Sequence, residues 1–221
     1  MSMALRSRNA PPPDLSLERA LRSRAMGPVA GIDEAGRGPI AGPVVAAAVI
    51  LDEGAIPAGI RDSKELTPDR RAALYDEIVG SAAVGVTMAD VDMIDRDNIL
   101  EATLWAMARA CEHLPRRPAA VLVDGNRLPY LACPAETIVG GDRRSLSIAA
   151  ASIIAKVTRD RLMDGLARRY PVYGFERHRG YPTRAHLDAL SRHGPCPYHR
   201  LSFAPVAACL AGAAPAPATI R

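Results

Sequence analysis

The residues of this 221-residue chain best suited to chemistry are carboxylates placed at the ends of apolar runs. Asp33 and Glu34 directly follow the run 29–32 and precede Ala35-Gly36-Arg37-Gly38. Adjacent carboxylates repel, and a nearby cation is what keeps both ionised. Successive strand residues point to opposite faces, so the two serve one site only at a strand end, where the backbone turns. The glycines just after supply that freedom. Asp124 repeats the design, ending the run 119–123 ahead of Gly125. Asp142 follows Gly140-Gly141 and leads into a long helical pattern, where taken alone it reads as a plain N-terminal cap. Alone, Asp33-Glu34 would read first as two solvated acids on a surface turn. Together, Asp33, Glu34, Asp124 and Asp142 form an oxygen-only donor set, which suits Mg²⁺ or Mn²⁺ rather than zinc. A pair of such ions is suited to phosphodiester hydrolysis by a bound water. Gly36-Arg37-Gly38 adds a backbone that a ligand can approach closely and a guanidinium able to hold a phosphate bidentately.

These side chains need elements to bring them together. Apolar runs at 29–32 and 44–51 flank a Gly/Pro-rich connection and predict adjacent strands. Thr67 and Pro68 predict the start of a helix over 68–79. Short strands are expected at 84–88, 119–123 and 138–139, and helices over 95–113, 145–170 and 183–193. The Ser/Ala run 147–152 would let its helix lie close against a sheet. Trp105 falls in an apolar helical pattern and is expected in or beside the core. Strands first, then alternation with helices, predicts an α/β fold with a mixed sheet. Residues 27–210 are expected to fold as one domain. Residues 1–26, with Arg6, Arg8, Arg19, Arg22, Arg24 and a triple proline, are expected to form a mobile basic arm, within which Leu15–Arg24 has the pattern of a short amphipathic helix, and the Ala/Pro-rich 211–221 a disordered tail.

The run Gly31-Ile32-Asp33-Glu34-Ala35-Gly36-Arg37-Gly38-Pro39-Ile40-Ala41-Gly42-Pro43-Val44 resembles the opening signature of the ribonuclease HII family, the bacterial type 2 ribonucleases H. Further matches follow in order: Asp62-Ser63-Lys64, Val123-Asp124-Gly125, Gly141-Asp142, the run 147–156, His178-Arg179-Gly180-Tyr181-Pro182-Thr183, and His199-Arg200-Leu201-Ser202-Phe203. The resemblance spans residues 27–205. It implies an RNase H-like fold, a mixed five-stranded sheet flanked by helices, with a helical C-terminal extension. It implies cleavage of RNA in RNA–DNA hybrids, and 5′ to single ribonucleotides embedded in duplex DNA, leaving 5′-phosphate and 3′-hydroxyl ends. A role in ribonucleotide removal and primer processing follows. Asp33, Glu34, Asp124 and Asp142 fall on the catalytic, metal-binding carboxylates, with Mn²⁺ or Mg²⁺, in a two-metal arrangement, as the implied cofactor. Gly36, Arg37 and Gly38 fall on the loop that recognises the 2′-hydroxyl and its phosphates. Tyr181 falls on the tyrosine that packs against the sugar at the RNA–DNA junction. Ser63 and Lys64 match substrate-binding positions, and with His178 and Arg200 are expected to touch the nucleic-acid backbone. A ribonuclease HIII-like nuclease is a rival, although that relative carries a substantial N-terminal domain and 26 residues do not supply one. A structure-selective DNA nuclease on the same fold is disfavoured by the G-R-G loop and Tyr181. A non-catalytic nucleic-acid binder would not need four carboxylates near phosphates.

Composition agrees with this reading. At 48% hydrophobic residues the chain can bury a core, which excludes wholesale disorder. No apolar stretch is long enough for a membrane span. Cys111, Cys133, Cys196 and Cys209 form no C-x-x-C pair, which argues against structural zinc and a disulfide framework and for reduced thiols in the cytoplasm. The net charge of +4 permits a polyanionic partner. Residues 156–200 hold ten Lys/Arg against four Asp/Glu, either a solvated helix face or a phosphate-tracking surface. A monomer is expected.

Overall fold

A computed structural model describes residues 11–25 and 27–212. In chain order the elements are α1 (Ser16–Ala25), β1 (Val29–Ala35), β2 (Val44–Ile50), α2 (Pro68–Ser81), β3 (Ala83–Ala89), α3 (Val91–Glu112), β4 (Ala120–Asp124), β5 (Ala135–Ile138), a single 3₁₀ turn (Gly141–Arg143), α4 (Leu146–Arg169), α5 (Phe175–His178), α6 (Arg184–His193) and α7 (Ala204–Leu210). The strands form one mixed sheet in the order β3-β2-β1-β4-β5. β1 is its centre, antiparallel to β2 and parallel to β4.

Side-chain alternation along β2 splits the core in two. Val44, Ala46, Ala48 and Ile50 join a cluster with α3, while Val45, Ala47 and Val49 join one with α2 and α4. α4 lies very close to β1: a Cβ on Gly31 would stand 2.2 Å from the Ser147 carbonyl carbon. The small residues Ala149, Ala150 and Ala151 extend that tight face, as the Ser/Ala run predicts. Beyond α4 the chain forms the helical extension α5–α7, with its own small apolar clusters.

Some elements differ from their expected bounds. α3 starts early because Asp90 caps it, its Oδ1 accepting from Met93 N at 2.9 Å. It breaks at Asn98 (φ 71°), whose Oδ1 accepts from Leu100 N and Glu101 N and restarts the helix. Trp105 is 39% exposed, at the edge of the core. The mobile arm expected over 1–26 is corrected in its second half. Leu21 is only 4% exposed and packs with Val29, Leu122 and Ile148. Glu18 Oε1 accepts from Ser147 N at 2.8 Å, Ser147 Oγ at 2.7 Å and Ser145 Oγ at 2.6 Å. The helix docks because Leu17 and Leu21 share its apolar face and Glu18 meets the positive end of α4. Residues 1–10 of that arm, and the expected tail past Gly212, lie outside the described residues. No helix among the described residues is long and apolar enough to cross a membrane.

Candidate active site

Parallel pairing decides where the carboxylates meet. The register sets Ile32 beside Val123, so Asp33 and Asp124 follow at the same edge of the sheet. Asp33 is 5% exposed, and its Oδ1 accepts the N–H of Glu34 at 2.7 Å. Asp124 Oδ1 accepts from Gly141 N at 2.6 Å, which draws the following 3₁₀ turn against the end of β4. That turn carries Asp142, also nearly buried. Asp142 is therefore not the cap of α4; Ser145 is, accepting from Ile148 N at 3.1 Å. Lys64 reaches over from the loop after β2, its Nζ 3.5 Å from Asp142 Oδ2.

A cleft of about 320 Å³ opens at this edge. Asp33, Glu34 and Asp124 line it together with Gly36, Arg37, Gly38 and Tyr181, and Ser63 and Lys64 complete the lining. Asp142 is not among the lining residues and joins the group through Asp124 and Lys64. A second cleft of about 320 Å³, by Glu18, Arg22 and Asp52 at the other end of β1, gathers none of the expected residues.

Charge is concentrated at this edge. Burial pushes the Asp33 carboxyl well above the usual range, and repulsion from Glu34 and Asp124 adds to it. Burial also raises Glu34, with Arg37 opposing at 3.4 Å. Asp142 is raised by burial and by Asp62, with Lys64 opposing. On Lys64 itself burial acts downward, but Asp62, Asp142 and Asp33 outweigh it and raise its pKa. Oxygen-only donors that repel one another have the chemistry a hard divalent cation would satisfy. As they stand, no three His, Cys, Asp or Glu side chains among the described residues are set at ion-holding spacing. The fit is therefore in donor type and charge.

The G-R-G loop is held from behind. Gly36 has φ 100°, and a Cβ there would lie 2.0 Å from Arg159 Nε, so glycine is required. A Cβ on Gly38 would lie 3.3 Å from Tyr181 Cε1, which places the half-exposed ring against that glycine. Arg159, 1% exposed, donates to the carbonyls of Pro43, Ala41 and Arg179. Two residues expected at the nucleic-acid backbone instead face inward. Arg200 is fully buried against loop carbonyls. The His178 Nε2 sits 2.9 Å from the Tyr173 carbonyl, and its ring stacks on His186 at 4.3 Å. Ser63, 3% exposed, is turned into the wall at 2.8 Å from Ser152 Oγ.

Four further residues belong here that sequence reasoning left unassigned. Asp62, 2% exposed, accepts from Lys64 N at 3.0 Å and Arg143 Nε at 3.2 Å, tying the Lys64 loop to the Asp142 turn. Ser152, Lys156 and Arg159 line the cleft from α4. Their i, i+4, i+7 spacing marks one helix face, and that periodicity was the available signal.

The ribonuclease HII family model matches residues 30–206, the stretch that contains every named residue of the carboxylate cleft. A ribonuclease HII from Azorhizobium caulinodans is 62% identical over 191 residues, 86% of this chain and 74% of its own length. One from Xanthobacter autotrophicus is 56% identical over 208 residues, 94% of this chain and 84% of that protein. Among solved structures, ribonuclease H2 from Pyrococcus horikoshii superposes with a TM-score of 0.69 at 29% identity, covering 82% of this chain and 96% of that one. Its fold, its cleft and its relatives agree: the chain belongs to the ribonuclease HII family, endonucleases that hydrolyse the RNA of RNA–DNA hybrids.

Proposed function

We propose that this chain cuts 5′ to a ribonucleotide, both in RNA–DNA hybrids and at single ribonucleotides embedded in duplex DNA, leaving 5′-phosphate and 3′-hydroxyl ends. The observation that carries this reading is that Asp33, Glu34 and Asp124 line the same cleft as Gly36-Arg37-Gly38 and Tyr181. Asp33, Glu34, Asp124 and Asp142 are the catalytic residues and would hold Mn²⁺ or Mg²⁺. Such ions, when bound, supply an activated water and stabilise the leaving oxygen. The glycines let the backbone approach the 2′-hydroxyl, the group that separates a ribonucleotide from a deoxyribonucleotide here. Arg37, half exposed and paired with Glu34 at 3.4 Å, turns to a phosphate when substrate enters. The Tyr181 ring stands where the neighbouring deoxyribose packs, and an added hydroxyl there would clash. Lys64 meets a phosphate from the part of the lining that Ser63 helps to shape. The biological role is removal of misplaced ribonucleotides and RNA primers by a cytoplasmic monomer.

The test is cleavage of a DNA duplex carrying one ribonucleotide, with Mg²⁺ or Mn²⁺, beside an EDTA control and an all-DNA duplex. A metal-dependent cut 5′ to the ribonucleotide, with the all-DNA duplex intact, is expected. Asp33→Asn should lose more than about 100-fold in rate, since even partners that merely orient metal ligands contribute 10–100-fold, while hybrid binding persists. Cleavage that survives EDTA, or an Asp33→Asn variant as active as the parent, overturns the reading.

A further inference from the structure

Arg200 lies far from the carboxylates in sequence and shows none of its surface to solvent. Its guanidinium donates five hydrogen bonds to four carbonyls of one loop: Nε to Gly42 at 3.0 Å, Nη1 to Arg37 at 2.9 Å and Pro39 at 2.6 Å, Nη2 to Gly36 at 2.6 Å and Gly42 at 2.8 Å. Its own N–H donates to Ile40 O at 2.9 Å, so main chain and side chain grip the same loop. The Phe203 ring lies 5.1 Å from the guanidinium and closes the far side. A buried cation is costly unless its donors are satisfied, and here carbonyl dipoles satisfy them.

The direction of those carbonyls has a consequence for the cleft. Among the described residues every peptide is trans, and in a trans peptide the C=O and the following N–H point in opposite directions. A Gly36 carbonyl held inward turns the Arg37 N–H outward, and an Arg37 carbonyl held inward does the same to the Gly38 N–H. Arg37 and Gly38 are the exposed residues of the loop, and both line the cleft. Among the described residues no protein acceptor takes either N–H. Side by side, two outward N–H groups make a small donor surface for an oxygen.

We infer that Arg200 is a positioning residue for substrate recognition: it fixes the polarity of the Gly36–Arg37 and Arg37–Gly38 peptides, so that the loop offers N–H groups rather than carbonyls to the ribose hydroxyl and its phosphate. The inference rests on the proposed role of this loop. Arginine is required because its planar fork reaches several acceptors at once; a lysine ammonium keeps the charge and loses the fork.

The test compares the full-length chain with Arg200→Lys. Hydrogen exchange and amide NMR shifts of Arg37 and Gly38 report loop geometry without substrate. Steady-state cleavage of the single-ribonucleotide duplex gives KM and kcat, and an all-DNA duplex added as competitor gives Ki. With the fold intact by circular dichroism, Arg200→Lys should shift and loosen both amides. It should raise KM about tenfold, the worth of one or two lost hydrogen bonds, and leave the Ki of the all-DNA duplex within twofold. A merely structural role would move KM and Ki together, and that result overturns the proposal. Unchanged amides overturn it as well. Disturbed amides with unchanged KM locate the failure in the loop's part in recognition, and the proposal falls with it. Should Arg200→Lys fail to fold, couplings across hydrogen bonds from the Arg200 nitrogens to the Gly36 and Arg37 carbonyl carbons in the unmodified chain carry the test. Their absence overturns the proposal.

Discussion

Tyr181 meets the loop through its ring edge, not its hydroxyl, at the position where a Gly38 Cβ would be 3.3 Å from Cε1. Tyr181→Phe should therefore cleave a single-ribonucleotide duplex with nearly the parent KM. Tyr181→Ala removes the surface and should raise KM about tenfold. Equal losses in both variants would assign the work to the hydroxyl and refute the packing role. Residues of this kind were legible in sequence together rather than singly. Two acids at a strand end, glycines flanking an arginine and an aspartate after two glycines each have an ordinary explanation alone, and only their combination points to a site. Arg200 and Asp62 were harder to place, because their partners are main-chain atoms or residues on distant loops. A carbonyl has no side-chain signature, so a residue that serves carbonyls looks like any surface arginine. Ser63 misled for the converse reason: a small polar residue beside Lys64 was expected to face substrate and instead bonds Ser152.

Helix α4 is the element on which the site is built, since it abuts β1 at Gly31, follows the Asp142 turn and contributes Ser152, Lys156 and Arg159 to the cleft. Its first turn has N–H groups with no intrahelical partner. Ser145 Oγ takes the one from Ile148, and Glu18 of α1 takes the one from Ser147. Glu18→Ala should cost about 2 kcal/mol and lower the melting temperature by about 4–8 °C, as read by thermal unfolding; a shift within 1 °C of the parent, about 0.3 kcal/mol on the same scale, would show that α1 is not a clamp. The long helices were legible because their apolar spacing continues over several turns between clear start and stop residues. The docking of α1 was not, because five arginines and a triple proline dominate that stretch, and the deciding contact lies 129 residues away. The break at Asn98 was hidden for a similar reason: the helical pattern resumes on the far side of it.

Across the whole molecule, the extension α5–α7 is joined to the site by a chain of histidines. Cys196 N donates to His199 Nδ1 at 3.0 Å, so the His199 Nε2–H donates to His186 Nε2 at 3.1 Å, and the His186 Nδ1–H donates to Tyr181 O at 2.8 Å. Only neutral rings satisfy that order, because a protonated ring would set N–H against N–H. Burial accordingly pushes His186 down to about 3 and His199 down to about 4. Unfolding frees both to titrate near 6.5, so the unfolded state binds more protons as pH drops below that value. Their contribution to stability is full above pH 6.5 and shrinks as pH falls toward 4, by up to about 2 kcal/mol per histidine at pH 5. Asp33, Glu34 and Asp142, whose folded values are raised, act with the opposite sign in acid. The histidine part is therefore read as the difference from a His186→Gln variant in urea unfolding at pH 7 and pH 5. Parallel pH profiles for parent and variant would refute it.

The central strand β1 also sets when the enzyme comes into being during synthesis. Its antiparallel partner β2 emerges from the ribosome almost at once, but its parallel partner β4 is some 90 residues further along, Ala30 pairing with Val121. Asp33 and Glu34 therefore wait beside an unpaired strand edge until Asp124 and then the Asp142 turn arrive. The loop that faces substrate waits longer, since its Arg37 carbonyl is bonded by a residue 163 positions downstream. Nascent chains that carry only the first two acids thus lack the strand and turn that bring the other two alongside them. The loop takes its observed form only once translation has delivered the extension that carries Arg200.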